Sequence, residues 1–301
     1  MKFSFIALFL NTLHILTPST NVYGVPSLPD AFGYGSLHKA VTSYTFDTNQ
    51  ANVSVWLSGA AYCDKEKYNT MVLSGPSEGF QVSHILYDPK YDLQGYAGVL
   101  PSTKTAYIVF RGSSSILNWM NDFEVKKIPY DTYPECDCNV HGGFYKTTLN
   151  LKNQAIIAVQ EIEKKYKFTS VIVTGHSLGA AVAQLIGMEL EREQYPVKIY
   201  NFGQPRTGDI VYAKFVNTII SNVWRFTHDR DMVPHMPPIT ELNYYHSCIE
   251  VFEDVVGGLR ECSKTNGEDP TCTDQYSLIH TSASDHNTYL KHPMDCGASV
   301  Y

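Results

Sequence analysis

Beyond its first two dozen residues the chain has no long apolar run: nothing later approaches the roughly 20 apolar residues that a membrane-crossing helix requires, so no transmembrane segment is expected. There is also no excess of positive charge. The 23 Lys and Arg are outnumbered by 30 Asp and Glu, a formal charge of -7, and without a cationic surface a nucleic-acid partner is not expected. No His-x-x-x-His pair or comparable ligand set occurs, which argues against a metal-dependent hydrolase, and no cofactor is expected. Nothing near the middle reads as a linker. With 44% hydrophobic and 18% charged residues over 301 positions, the composition is that of an ordinary globular protein, expected as a single α/β domain over residues 25–301.

Residues 1–24 stand apart. Lys2 precedes an apolar stretch from Phe3 to Leu10, a weaker tail through Ile15 and Leu16, then Pro18, Ser19 and Gly24. This is the pattern of a secretory signal peptide, cleaved after Gly24, and Asn11, Thr12 and His14 leave it too short for a retained anchor. Seven cysteines follow, at 63, 136, 138, 248, 262, 272 and 296. In an oxidising, extracellular compartment most are expected to pair, with at least one left over. Cys136-Asp-Cys138 reads as a disulfide because no second ligand pair at finger spacing accompanies it. Asn52-Val-Ser54 makes Asn52 the glycosylation candidate.

Residues 25–60 show little periodicity and read as an N-terminal helix or arm. Gly98–Leu100 and Thr105–Phe110 read as strands joined by a turn at Pro101-Ser102; the second runs into Arg111-Gly112-Ser113-Ser114-Ser115. Ile116, Trp119, Met120 and Phe123 then recur at i, i+3, i+4 and i+7, a short amphipathic helix that serves either as a core cover or as a mobile flap over an apolar pocket. A long helix with Ala155, Val159, Ile162 and Tyr166 inward, a strand at Val171–Thr174, a helix through Leu178, Ala181, Val182, Leu185 and Ile186, a strand at Val197–Phe202, a helix at Ala213–Ile220 and a strand at Asn222–Thr227 follow. Such alternation predicts a largely parallel sheet covered on both faces.

The chain's chemistry centres on Gly175-His-Ser177-Leu-Gly179. A serine between a buried strand and a helix, with small residues two before and two after it, fits a sharp turn that projects the hydroxyl at the sheet edge beside a helix N-terminus. A serine hydroxyl needs a base, and the base needs a carboxylate to hold its tautomer. Asp231 and Asp229 compete for the carboxylate, with Asp231 preceding an apolar pair and a proline that would turn the chain over the sheet end. For the base, His286 lies in a C-terminal segment able to fold back to the sheet top, and His280 is the runner-up.

Taken in order, Phe110-Arg-Gly-Ser-Ser-Ser-Ile-Leu-Asn-Trp119, His141-Gly-Gly-Phe144, Gly175-His-Ser-Leu-Gly179, Gly203-Gln-Pro-Arg206, Arg230-Asp-Met-Val-Pro-His235 and Asp285-His286 with Tyr289 resemble the class 3 lipases, the family of the filamentous-fungal secreted triacylglycerol lipases. The likeness covers roughly residues 95–290. It implies an α/β-hydrolase fold and a triad of Ser177, Asp231 and His286. It also implies an oxyanion hole from Ser113 and the Leu178 N–H, and a lid over about 115–124 carrying Ile116, Leu117, Trp119, Met120 and Phe123. By the same resemblance Cys63 pairs with Cys296, Cys262 with Cys272 and Cys136 with Cys138, leaving Cys248. Where family members usually have a second glycine after the elbow this chain has Ala180, and residues before 60 match nothing in the family. The implied partner is a lipid ester at an oil–water interface, acted on by a monomer. The apolar lid favours lipid over the soluble substrates of feruloyl esterases, and a non-catalytic lipid-binding protein is the remaining alternative.

Overall fold

The computed structural model describes residues 45–114 and 125–301. The leader and the lid residues Ile116, Leu117, Trp119, Met120 and Phe123 lie outside them. Helix α1 (Thr48–Ala60) comes first, its N-terminus capped by the Asp47 side chain, which accepts from the Asn49 and Gln50 N–H groups. Strands β1 (Gln81–Asp88), β2 (Leu93–Leu100) and β3 (Thr105–Phe110) follow, then the short pair β4 (Lys127–Pro129) and β5 (Asn139–His141). Next come α2 (Gly142–Tyr166), β6 (Ser170–His176), α3 (Leu178–Arg192), β7 (Val197–Phe202), α4 (Ile210–Ile219), β8 (Val223–His228), β9 (Glu250–Glu253) and β10 (Leu259–Glu261).

Eight strands form one sheet in the order β1-β2-β3-β6-β7-β8-β9-β10. Its centre, β3 to β9, is parallel, while β1, β2 and β3 pair antiparallel at one edge and β10 pairs antiparallel with β9 at the other. The α/β-hydrolase architecture is as expected. Central strands are apolar at successive positions because both faces are covered. Ile108, Val171, Val173 and Ile199 pack with residues of α2, α3 and α4 on one side. Their neighbours Tyr107, Val109, Ile172 and Tyr200 pack with α1 and the C-terminal segment on the other.

Two elements go beyond the sequence reading: the helix or arm expected within residues 25–60 is a helix at Thr48–Ala60, and strand β1 has no counterpart there. In α1 the buried side includes Ser54 and Ser58 as well as Val55 and Leu57, so the apolar period is diluted; Ser58 Oγ instead pairs with Thr174 Oγ1 at 3.2 Å. β1 is a sheet-edge strand with exposed and half-buried residues along most of its length, which removes the apolar run that would have marked it. The sequon also falls on α1: Asn52 is half-buried and Ser54 fully buried. The exposed loop expected of a glycosylation acceptor is therefore not where Asn52 sits.

Candidate active site

Ser177 sits between the end of β6 and the start of α3 with φ 58° and ψ -129°, a backbone conformation disfavoured for a residue with a Cβ by about 1–3 kcal/mol. The two flanking glycines permit it. A Cβ on Gly179 would lie 2.4 Å from the Phe110 carbonyl oxygen and 2.5 Å from that of Arg111, and one on Gly175 would lie 2.6 Å from the Gly179 backbone. Strand β3, strand β6 and helix α3 can thus meet only where side chains are missing. Ala180, where the family usually carries glycine, is accommodated as a fully buried residue of α3.

Asp231 and His286 come together across 55 residues of sequence. His286 Nδ1 lies 2.9 and 3.1 Å from the two Asp231 carboxylate oxygens. Both side chains are buried, with Asp231 wholly shielded from solvent. A buried carboxylate is tolerated only when donors surround it: Asp231 also accepts from the Val233 N–H at 2.9 Å and from the Tyr289 hydroxyl. With Nδ1 donating to Asp231, the imidazole is held in the tautomer whose Nε2 is the acceptor. His286 Nε2 and Ser177 Oγ are both buried and neither has a hydrogen-bond partner among the described residues, so the serine–histidine bond is not closed in this conformation.

Ser113 follows Gly112, whose Cβ, if present, would sit 2.8 Å from Ser177 Cβ; the end of β3 therefore abuts the elbow. Leu178 is the first residue of α3, and its N–H is among those that a helix leaves without an intrahelical acceptor. The two competitors lie elsewhere. Asp229 accepts from the Tyr276 hydroxyl at 2.9 Å and faces Arg230, and His280 is exposed with its Nδ1 on Ser277 Oγ at 2.8 Å. Disulfides join Cys63 to Cys296, Cys136 to Cys138 and Cys262 to Cys272, with Cys248 free and buried.

Some contacts at the site carry no local sequence signal. The Tyr289 hydroxyl bond to Asp231 spans 58 residues, and burial together with the Asp231 charge holds the phenol well above its usual value, keeping it a donor. His176, at the last position of β6, lies beside His286 with ring centroids 4.3 Å apart. Its position next to Ser177 was visible in the sequence, but its partners were not.

The family described as lipase (class 3) matches residues 107–241. The lipase of Rhizomucor miehei is 37% identical over 153 residues, 49% of this chain and 42% of that protein. Secreted mono- and diacylglycerol lipase 1 of Fusarium solani is 29% identical over 250 residues, 78% of this chain and 72% of its own length. The chain thus spans less than half of the first relative and nearly three quarters of the second. Among solved structures, a triacylglycerol lipase described as having a serine protease triad at its catalytic centre superposes with a TM-score of 0.75 at 28% identity, covering 83% of this chain and 96% of that one. Lipase II of Rhizopus niveus superposes with a TM-score of 0.75 at 26% identity, covering 83% and 98%. With its ordered motifs, mixed eight-stranded sheet and strained elbow serine, the chain resembles the class 3 lipases and matches their family over residues 107–241.

Proposed function

We propose that this protein is a serine hydrolase of lipid carboxylic esters, with triacylglycerols as the main substrate class. The observation that carries the reading is the buried Asp231–His286 pair at the sheet end that also holds Ser177 on its strained turn. In this reading His286 Nε2 takes the proton of Ser177 Oγ as the oxygen attacks the ester carbonyl, and Asp231 stabilises the imidazolium. The Ser113 and Leu178 N–H groups receive the developing oxyanion. His286 then returns the proton to the departing alcohol, leaving an acyl-enzyme that water opens to free fatty acid. Relatives named as mono- and diacylglycerol lipases make partial glycerides the second substrate class to test. Secretion behind the leader, a monomeric state and interfacial contact through Ile116, Leu117, Trp119, Met120 and Phe123 belong to the same reading and rest on sequence.

Ser177→Ala is expected to lower hydrolysis of a soluble short-chain ester by several orders of magnitude with the melting temperature unchanged; undiminished turnover in folded variant would overturn the assignment. Rate measured against tributyrin concentration across its solubility limit separates lipase from soluble-ester esterase, since only a lipase shows a jump when emulsion forms.

A further inference from the structure

Tyr62, just past α1, and His176, the last residue of β6, form a hydrogen-bonded chain that the triad itself does not use. The Tyr62 hydroxyl lies 2.6 Å from His176 Nδ1, and His176 Nε2 lies 2.8 Å from the main-chain oxygen of His286. A carbonyl oxygen only accepts, so Nε2 carries the proton and Nδ1 accepts from Tyr62. Burial and the adjacent His286 hold His176 well below the usual histidine value. It therefore stays a neutral one-proton link and puts no second positive charge beside the imidazolium. At its other end the Tyr62 oxygen lies against the backbone of Gly112: a Cβ there would come within 2.4 Å of it. Gly112 immediately precedes Ser113.

His286 needs such support because it sits on a three-residue turn, Asp285–Asn287. Asp231 orients its ring through Nδ1, but that contact does not fix the main chain carrying the ring. Besides bonds within its own segment, that main chain is held by two imidazoles, His228 Nδ1 on the Asp285 oxygen at 2.9 Å and His176 on the His286 oxygen. Of these only His176 also reaches, through Tyr62, the strand end that carries Ser113.

We propose that Tyr62 and His176 are positioning residues that hold the base His286 and the Gly112–Ser113 segment at a fixed separation on either side of Ser177. The proposal rests on the serine-hydrolase reading above. A misplaced base or donor affects the transition state more than ground-state binding, so the relay is expected to act on kcat. Tyr62→Phe removes one hydroxyl and keeps the ring. It is expected to lower kcat for p-nitrophenyl butyrate about tenfold, the weight of one well-placed hydrogen bond, with KM within about twofold and the melting temperature nearly unchanged. His176→Leu is expected to lose more. His176→Gln, whose amide nitrogen can still donate to the His286 oxygen, is expected to recover most of that loss. The rate of inactivation by a serine-directed phosphonate should follow the same order.

Unchanged kcat in Tyr62→Phe, or a His176→Gln variant no better than His176→Leu at equal folded fraction, would overturn the relay. Ser177→Ala measured alongside separates the two levels. If it retains turnover, the hydrolase reading falls and the relay with it. If it is inactive while the Tyr62 and His176 variants turn over normally, only the relay falls.

Discussion

Asp231 is held by more than its histidine. Its carboxylate is fully buried and accepts from His286, from the Val233 N–H and from the Tyr289 hydroxyl. Each donor stabilises the anion that the proposed mechanism sets against the imidazolium. Tyr289→Phe removes one of them without changing the ring packing against His176 and Phe202. Loss of a donor to a buried charge is worth about 1.5–3 kcal/mol, so kcat on a soluble ester is expected to fall by roughly ten- to a hundredfold with KM little altered. A Tyr289→Phe enzyme at full rate would mean that Val233 and His286 alone suffice. The identity of residue 289 as tyrosine stood in a family motif, but what its hydroxyl touches could not be read there, because the partner is 58 positions away.

At the scale of elements, the turn from β6 into α3 is a packing junction as much as a local conformation. Its glycines are required by what lies opposite: carbonyls of β3 and its continuation on one side, the first turn of α3 on the other. Gly179→Ala places a methyl 2.4 Å from the Phe110 oxygen, and backbone cannot move aside as a side chain can. We expect a loss of about 1–3 kcal/mol in urea unfolding. Turnover should fall more than stability does, because any retreat of β3 carries Ser113 with it. Equal midpoints and equal rates for variant and parent would contradict this account of the junction. The central strands and α2 and α3 were legible because each buries a continuous apolar face. Helix α1 was legible only as a helix or arm somewhere in residues 25–60, and strand β1 was not legible: the first buries serines that bond across to the sheet, and the second is an edge strand largely open to water.

Over the whole molecule, a buried charged cluster ties the 262–276 segment to the chain that follows Asp231. Arg206 bonds Glu268 through two nitrogens at 2.9 and 2.8 Å and Asp274 at 3.3 Å, and it donates to the carbonyls of His235 and Pro237. Burial and the neighbouring Glu268 push Asp274 up to about 7. An unfolded aspartate ionises near 4, so between about pH 4 and 7 the folded protein binds the extra proton. The stability linked to Asp274 is therefore complete below about pH 4 and is lost as pH rises through about 7. His235 works in the opposite sense: burial and Arg206 lower it to about 4, so its contribution is lost as pH falls from about 6.5 toward 4. Asp274→Asn replaces the acid by an uncharged amide of the same shape. Its melting temperature relative to the parent is expected to rise from pH 5 to about pH 7 and then level off toward pH 8, and a difference constant across that range would show that Asp274 ionises normally.

Sequence alone determined a largely parallel α/β sheet, the elbow serine and the order of the motifs, and the family resemblance of those motifs implied the α/β-hydrolase fold. Those features are written in local spacing: apolar runs of strand length, helical periods, and glycines two residues either side of Ser177. Tertiary structure decided which acid meets which base. Asp231 turns into the sheet end while Asp229, two residues earlier, turns out to Tyr276. His286 is buried against Asp231, whereas His280, six residues before it, stays in solvent. Hydrogen bonds, burial and close approach depend on where distant segments pack, and packing over separations such as the 114 residues between Tyr62 and His176 leaves no periodic trace along the chain.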